Sequence, residues 1–391
     1  MKNKLGILII ILVNVSQLNA AKSVEPRYSF IAADASIEKL AMSPNEEFIV
    51  AGTANSSGGK SFFGITVWDR SEWNNKDLNL DKFNKHKIKD IDLSPSSQTT
   101  TSLAVLNDNE TIVGSDSTQI FKYNKTNKAF IDFINKDTQR FIRPGTIINA
   151  RIPANQDIIA VGMKETYPDN ISAKIFNLNS GNLITQITAN FKVNRPLAIS
   201  PDGQLLGTVW ESSKEAILWN AINGKEIKKI QTNNKNSIYS MDISKNYIAI
   251  GYLGGIVVYK RDTYESIFNV PHEFNHPELG KLEKLVSKVT ITPDEQCIVF
   301  KDSNGKLGFI TISTGKKIKL KPFEKVIDTS TFALSHTGKY IMIGSRDGQV
   351  KVYEVNDIIN GKSVVTPALD LNSARNLISG LTSTLTSLAL K

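Results

Sequence analysis

The chain has 391 residues, 40% of them apolar and 22% charged, with a formal charge of +9. Those proportions exclude a disordered or collagen-like polymer and suit an ordinary soluble globular protein, and a single cysteine, Cys297, excludes an internal disulfide framework. Two lysine groups, Lys225, Lys228, Lys229 and Lys316, Lys317, Lys319, Lys321, carry part of the charge without any aromatic stacking platform, so no nucleic-acid partner is expected.

At the N terminus Lys2 and Lys4 precede an apolar run from Leu5 to Val13, and Ser16 to Ala20 is polar and ends in a small residue. That is the layout of a secretory signal peptide, with cleavage expected after Ala20. The run is too short for a comfortable membrane span. An exported chain with one cysteine reads as bacterial, and a periplasmic or extracellular location is expected. A short strand at 28–31 follows.

From Ile37 onward short apolar runs alternate with turn residues, and 196–230 shows the unit most plainly. An apolar run ends in Ser200-Pro201, Asp202-Gly203 makes a turn, a second run covers 205–209, a third ends on Trp219-Asn220, and a fourth covers 226–230. Equivalent steps occur at Ser43-Pro44, Leu106-Asn107, Ile152-Pro153, Ser244-Lys245, Thr292-Pro293 and Ser335-His336. After a first interval stretched by polar insertions at 55–60 and 71–85, they recur roughly every 43 to 48 residues, which predicts about seven four-stranded units in one repeat domain. Such units cannot fold singly, because each has two faces to bury. The lysine groups fall on the fourth, outermost runs, where they keep sheet edges from pairing with other molecules.

Before the sixth unit lies His272-Glu273-Phe274-Asn275-His276, which fits H-E-x-x-H letter for letter. In zinc hydrolases that spacing places both histidines on one face of a helix. Here Pro277 biases His276 away from helical geometry. The stripe Leu279, Leu282, Leu285 and Val286 predicts that a helix begins only after the motif. No metal, cofactor or catalytic residue is therefore expected; His272 and His276 are the only candidates for a metal, and a metal-dependent hydrolase or a small-ligand site using this insertion is the alternative reading. Beyond Asp357 the period breaks, and Leu377, Leu381, Leu385 and Leu388 recur at helical spacing behind Asn372 or Ser373. The tail 358–391 is read as an extension or amphipathic helix, the one segment through which a membrane could be touched.

Trp68-Asp69, Trp219-Asn220, Phe176-Asn177, Tyr123-Asn124 and the stretch Gly344 to Glu354 together resemble the WD-repeat propeller family, although no repeat carries its Gly-His pair. The resemblance implies an all-β fold, a seven-bladed β-propeller of four-stranded antiparallel blades spanning 21–357. It also implies that the first strand, 27–32, pairs with 350–355 to complete the last blade. The function it implies is a non-enzymatic, monomeric scaffold that binds a protein or peptide through its loop-rich face. Tyr167, Trp210, Glu211, Tyr252, Asp302 and Arg346 are the candidate binding residues, with the insertion 271–284 beside them.

Overall fold

The computed structural model describes residues 26–32, 36–53, 64–73, 102–115, 120–132, 145–152, 157–165, 171–189, 195–209, 214–232, 236–278, 280–318 and 329–360. The signal-like segment, the insertion 55–60, most of the insertion 71–85 and the leucine-spaced tail lie outside them. The described chain is all-β apart from a 3-10 turn at Arg70–Glu72 and a six-residue helix, α1 (Val355–Asn360). No helix among the described residues is long and apolar enough to cross a membrane.

Seven antiparallel sheets of three or four strands follow one another along the chain. Sheet one contains β2 (Ile37–Met42), β3 (Phe48–Thr53) and β4 (Ile65–Asp69). Sheet two contains β5 (Ser102–Val105), β6 (Thr111–Ser115), β7 (Ile120–Asn124) and β8 (Phe130–Asp132). Sheet three is built from β9 (Gly145–Arg151), β10 (Ile158–Glu165), β11 (Ile171–Asn177) and β12 (Leu183–Ala189), and sheet four from β13 (Arg195–Ile199), β14 (Leu205–Val209), β15 (Glu215–Asn220) and β16 (Glu226–Gln231). Sheet five has β17 (Ile238–Ile243), β18 (Tyr247–Tyr252), β19 (Gly255–Lys260) and β20 (Ser266–Pro271), after which β21 (Glu273–His276) and β22 (Gly280–Glu283) form a separate hairpin. Sheet six has β23 (Val286–Ile291), β24 (Cys297–Asp302) and β25 (Leu307–Thr311). Sheet seven has β26 (Thr329–Leu334), β27 (Tyr340–Ser345) and β28 (Gln349–Glu354), and its fourth strand is β1 (Tyr28–Ile31), from the start of the chain.

Two kinds of turn, each encoded locally, set the register. Between first and second strands the residue after the first strand closes a six-residue loop. Ser200 N–H donates to Leu205 O at 2.9 Å, Leu205 N–H donates to Ser200 Oγ at 2.9 Å, and Gly203 sits at φ 68. Ser43, Thr292 and Ser335 repeat the hydroxyl contact with Phe48, Cys297 and Tyr340. A Ser or Thr at this place accepts the returning N–H that would otherwise be unpaired.

Between third and fourth strands the Asn of the aromatic-Asn pairs performs the same office. Asn124, Asn177 and Asn220 each accept two successive backbone N–H groups on Oδ1. The fifth residue of the turn then takes left-handed geometry, at Lys128, Gly181, Gly224, Tyr264 and Gly315. These asparagines end their strands by offering the chain a turn in place of the ladder.

Each sheet buries one face against the next. Val50 and Ile65 of sheet one meet Ile112 and Phe121 of sheet two, and Val113 and Ile120 meet Ile159 and Val161 of sheet three. Ala173 and Ile175 meet Leu206 and Ile217 of sheet four, and Val209 and Leu218 meet Met241 and Ile250 of sheet five. Ala249 and Val258 meet Val289 and Ile298 of sheet six, and Val299 and Phe309 meet Phe332 and Ile341 of sheet seven. A last cluster joins Met342 and Val350 of sheet seven to Leu40 and Ile49 of sheet one.

Glycines on second strands make room for this packing. A Cβ at Gly207 would lie 2.2 Å from Met241 Sδ, one at Gly251 2.8 Å from Val286 Cγ1, and one at Gly344 2.6 Å from Ile37 Cγ2. In each case the intruding side chain belongs to the first strand of the neighbouring sheet. Each fully buried Val, Ile, Leu or Phe in these clusters contributes about 1.5–3 kcal/mol.

The N-terminal strand lies where the sequence suggests. Tyr28 to Ile31 pair with Val352 to Gln349, and flanking bonds from Arg27 N–H to Val352 O (2.8 Å) and Ala32 N–H to Gly348 O (2.9 Å) extend the ladder. Phe30 is buried, 5.4 Å from the Trp68 ring.

Two expectations are corrected. The helix expected after Pro277 is the second half of a β-hairpin. Gly280, at φ 73, turns the chain back, Leu282 pairs across the strands with Phe274, and Leu285 bridges to Leu253, so the three-residue leucine spacing belongs to no helix. The polar insertion expected from Ser71 begins inside the protein. Trp73 is fully buried, donates its indole N–H to Trp68 O at 3.0 Å and meets Tyr28 edge-on at 5.1 Å.

Candidate functional site

The β21–β22 hairpin stands out because its base is fixed and its body is open to solvent. Backbone bonds from His272 N–H to Gly254 O (2.8 Å), Gly254 N–H to Lys284 O (2.9 Å) and Lys284 N–H to His272 O (2.8 Å) stitch it to the turn between β18 and β19. Asn236 Nδ2 holds the far side, donating to Leu253 O at 2.7 Å and to both Glu283 oxygens at 3.0 Å. Ser303 N–H donates to Leu285 O at 3.0 Å, so the neighbouring turn of sheet six grips the hairpin as well.

His272 is the keystone of that base. Its Nε2 lies 3.4 Å from Asp302 Oδ2, its Nδ1 3.5 Å from Lys317 Nζ, and its ring meets Phe300 edge-on at 5.2 Å. Asp302 also accepts the N–H groups of Asn304 and Lys306 on Oδ1, at 2.9 and 2.8 Å, and has Lys284 Nζ 3.7 Å away. Burial alone would raise the Asp302 carboxyl, but the His272 hydrogen bond, the two backbone donors and the Lys284 ammonium outweigh it and hold it below the usual carboxylate range.

The hairpin body presents Phe274, 39% exposed, with the Lys284 ammonium 5.2 Å from its ring centre, and Lys281 3.6 Å from Glu273. An aromatic ring with a cation over it, held on a stiff two-stranded ribbon, is material for recognising another chain.

The H-E-x-x-H letters fall on this extended segment. Four residues of extended chain span roughly 13 Å, too far for one ion to join both histidines. His272 turns to Asp302, whereas His276 Nδ1 accepts Glu278 N–H at 3.2 Å. Among the described residues no group of three His, Cys, Asp or Glu side chains is placed to hold a metal.

The residues expected on a binding face separate. Tyr252 is fully buried among Val209, Met241 and Val257 and donates its hydroxyl to Asn269 Oδ1 at 2.6 Å; burial raises its pKa. Asp302 is likewise buried and serves the hairpin base. Arg346 is exposed in the turn between β27 and β28. Tyr167, Trp210 and Glu211 lie outside the described residues. Phe274, Lys281 and Lys284 are the side chains that sequence reasoning passed over, and the signal for them was available in Gly280, which marks a hairpin turn.

No protein-family model matches the chain, and no curated protein matches it either.

Proposed function

We propose that the seven sheets close into a seven-bladed propeller of the WD-repeat type and that this propeller is a non-enzymatic scaffold for a protein or peptide partner. Three features support the closed arrangement: the succession of apolar clusters returns from sheet seven to sheet one, first strands of successive sheets pack together, and the chain's first strand completes its last sheet. In that reading β21–β22 is a connection between blades on the loop-rich face. Export through residues 1–20 to a periplasmic or extracellular setting is part of the same proposal.

The observation that carries the functional reading is the fixed hairpin with an exposed aromatic and flanking cations. Its strands also leave outer edges to which an extended peptide can add by backbone pairing. Changing Phe274→Ser together with Lys281→Glu should abolish capture of the partner from the compartment where the protein resides, and leave the melting temperature within a degree or two. The purified partner should then retain the wild-type chain and release the double variant. If the double variant captures the same proteins as the wild type, the hairpin is not the contact surface.

A further inference from the structure

A second group of charged side chains lies on the inner strands, away from the hairpin's exposed body. Lys39 sits on β2, Arg151 ends β9, Lys288 is on β23 and Lys301 on β24. These come from four strands of three sheets, yet they are close enough for Lys39 to feel Arg151 and Lys301, and for Lys288 to feel Lys39, Arg151 and Lys301. Glu38 and Asp242 are the carboxylates facing them, so four cations meet two anions. Arg346 adds positive potential at Lys301.

Most of the other polar capacity is already committed. Asp242 Oδ2 accepts Ile291 N–H at 2.7 Å, tying β17 to β23. Lys288 Nζ donates to Phe332 O and lies 4.6 Å from the Phe332 ring centre, and Lys301 Nζ donates to Ser330 O. Lys39 makes no hydrogen bond or ion pair among the described residues.

All of these side chains are enclosed, yet each retains part of its accessible surface, so they border a space that solvent reaches and not close-packed core. Burial lowers Lys39 to about 8 and Lys288 well below its ordinary value, and pushes Asp242 up. An enclosed excess of like charge opposes folding unless something of opposite sign offsets it.

We propose that this enclosed space binds a small multivalent anion carrying phosphate or carboxylate groups, with Lys39 and Arg151 as its principal contacts. Arg151 supplies a planar fork suited to two oxygens of one group, and Lys39 a point charge with three donors still to be used. The site needs only the meeting of the inner strands, and stands whether or not the hairpin binds a partner.

Titration calorimetry of the full chain with inorganic pyrophosphate in one arm and tricarballylate, a tricarboxylate, in the other tests it and separates the two chemistries. At least one should bind and raise the melting temperature. Lys39→Met and Arg151→Met should each weaken that binding by roughly tenfold or more, the loss of one charge-assisted contact. Lys228→Gln with Lys229→Gln, on the outer strand β16, should leave it unchanged.

If a variant fails to fold, acetylation of Lys39 in the wild-type chain, read by peptide mass, supplies the answer, because bound anion should slow it several-fold. The proposal is overturned if neither anion binds at millimolar concentration, if binding survives both substitutions, or if Lys39 is acetylated equally fast with and without anion.

Discussion

At the scale of single residues the chain repeats a few local solutions, and their exceptions are informative. Lys128 occupies the left-handed fifth position that Gly181, Gly224 and Gly315 occupy in sister turns, at φ 57. Its side chain is exposed, and a non-glycine residue there carries about 1–2 kcal/mol of backbone strain. Lys128→Gly relieves that strain but loosens the unfolded chain by about 0.4–1 kcal/mol, so a net gain of roughly 0.5–1 kcal/mol is expected. Urea unfolding checks it, and a lower midpoint for the variant would contradict the argument. These turns were legible in the sequence because their chemistry is confined to six residues: the hydroxyl of Ser200 or the amide of Asn220 needs no distant partner to do its work. Tyr252 was not legible in the same way, since its place depends on Val209 and Met241 of other strands.

At the scale of elements, the pairing of β1 with β28 was foreseeable, whereas the hairpin was not. An open edge on the last sheet calls for a cover, and a lone short strand at 28–31 was there to provide it. In 279–286, by contrast, leucine spacing suited a helix, and only Gly280 and the grip of Asn236, Gly254 and Asp302 decide for strands. Phe30→Asp should test the cover. It places a charge in the cluster around Trp68 and Val350, a loss of about 3–5 kcal/mol by comparison with truncation of buried aromatics. The melting temperature should fall, and the bared edge of β28 should make the protein associate with itself as concentration rises, as seen by light scattering. The ion pairs of Arg27 with Glu354 and Asp357, at 3.3 and 3.5 Å, are half-exposed and do not replace the ladder. A variant with unchanged melting and no self-association would mean that β1 is dispensable.

At the scale of the whole molecule, charge sets how stability responds to alkali. Lys39 titrates at about 8 when folded, against an ordinary lysine value of 10.5, chiefly through burial and then Arg151; Lys288 and Lys301 move in the same direction. Between those two values the unfolded chain binds more protons than the folded one, so stability should rise as pH climbs from about 8 towards 10.5. In buffers free of multivalent anions the urea midpoint should increase from pH 7.5 to pH 9.5, and Lys39→Met should increase less. Equal gains would remove Lys39 as a cause. Nothing in the sequence pattern announced this cluster, because its members are scattered over sheets one, three and six and only the packing gathers them.

The β1–β28 pairing also orders events in time. A ribosome delivers Phe30 early and Val350 near the end, so the earliest strand has no partner to zip onto while the intervening sheets appear. Maturation must wait for the final segment to emerge, and until then the leading end of the chain stays available to whatever handles nascent polypeptides.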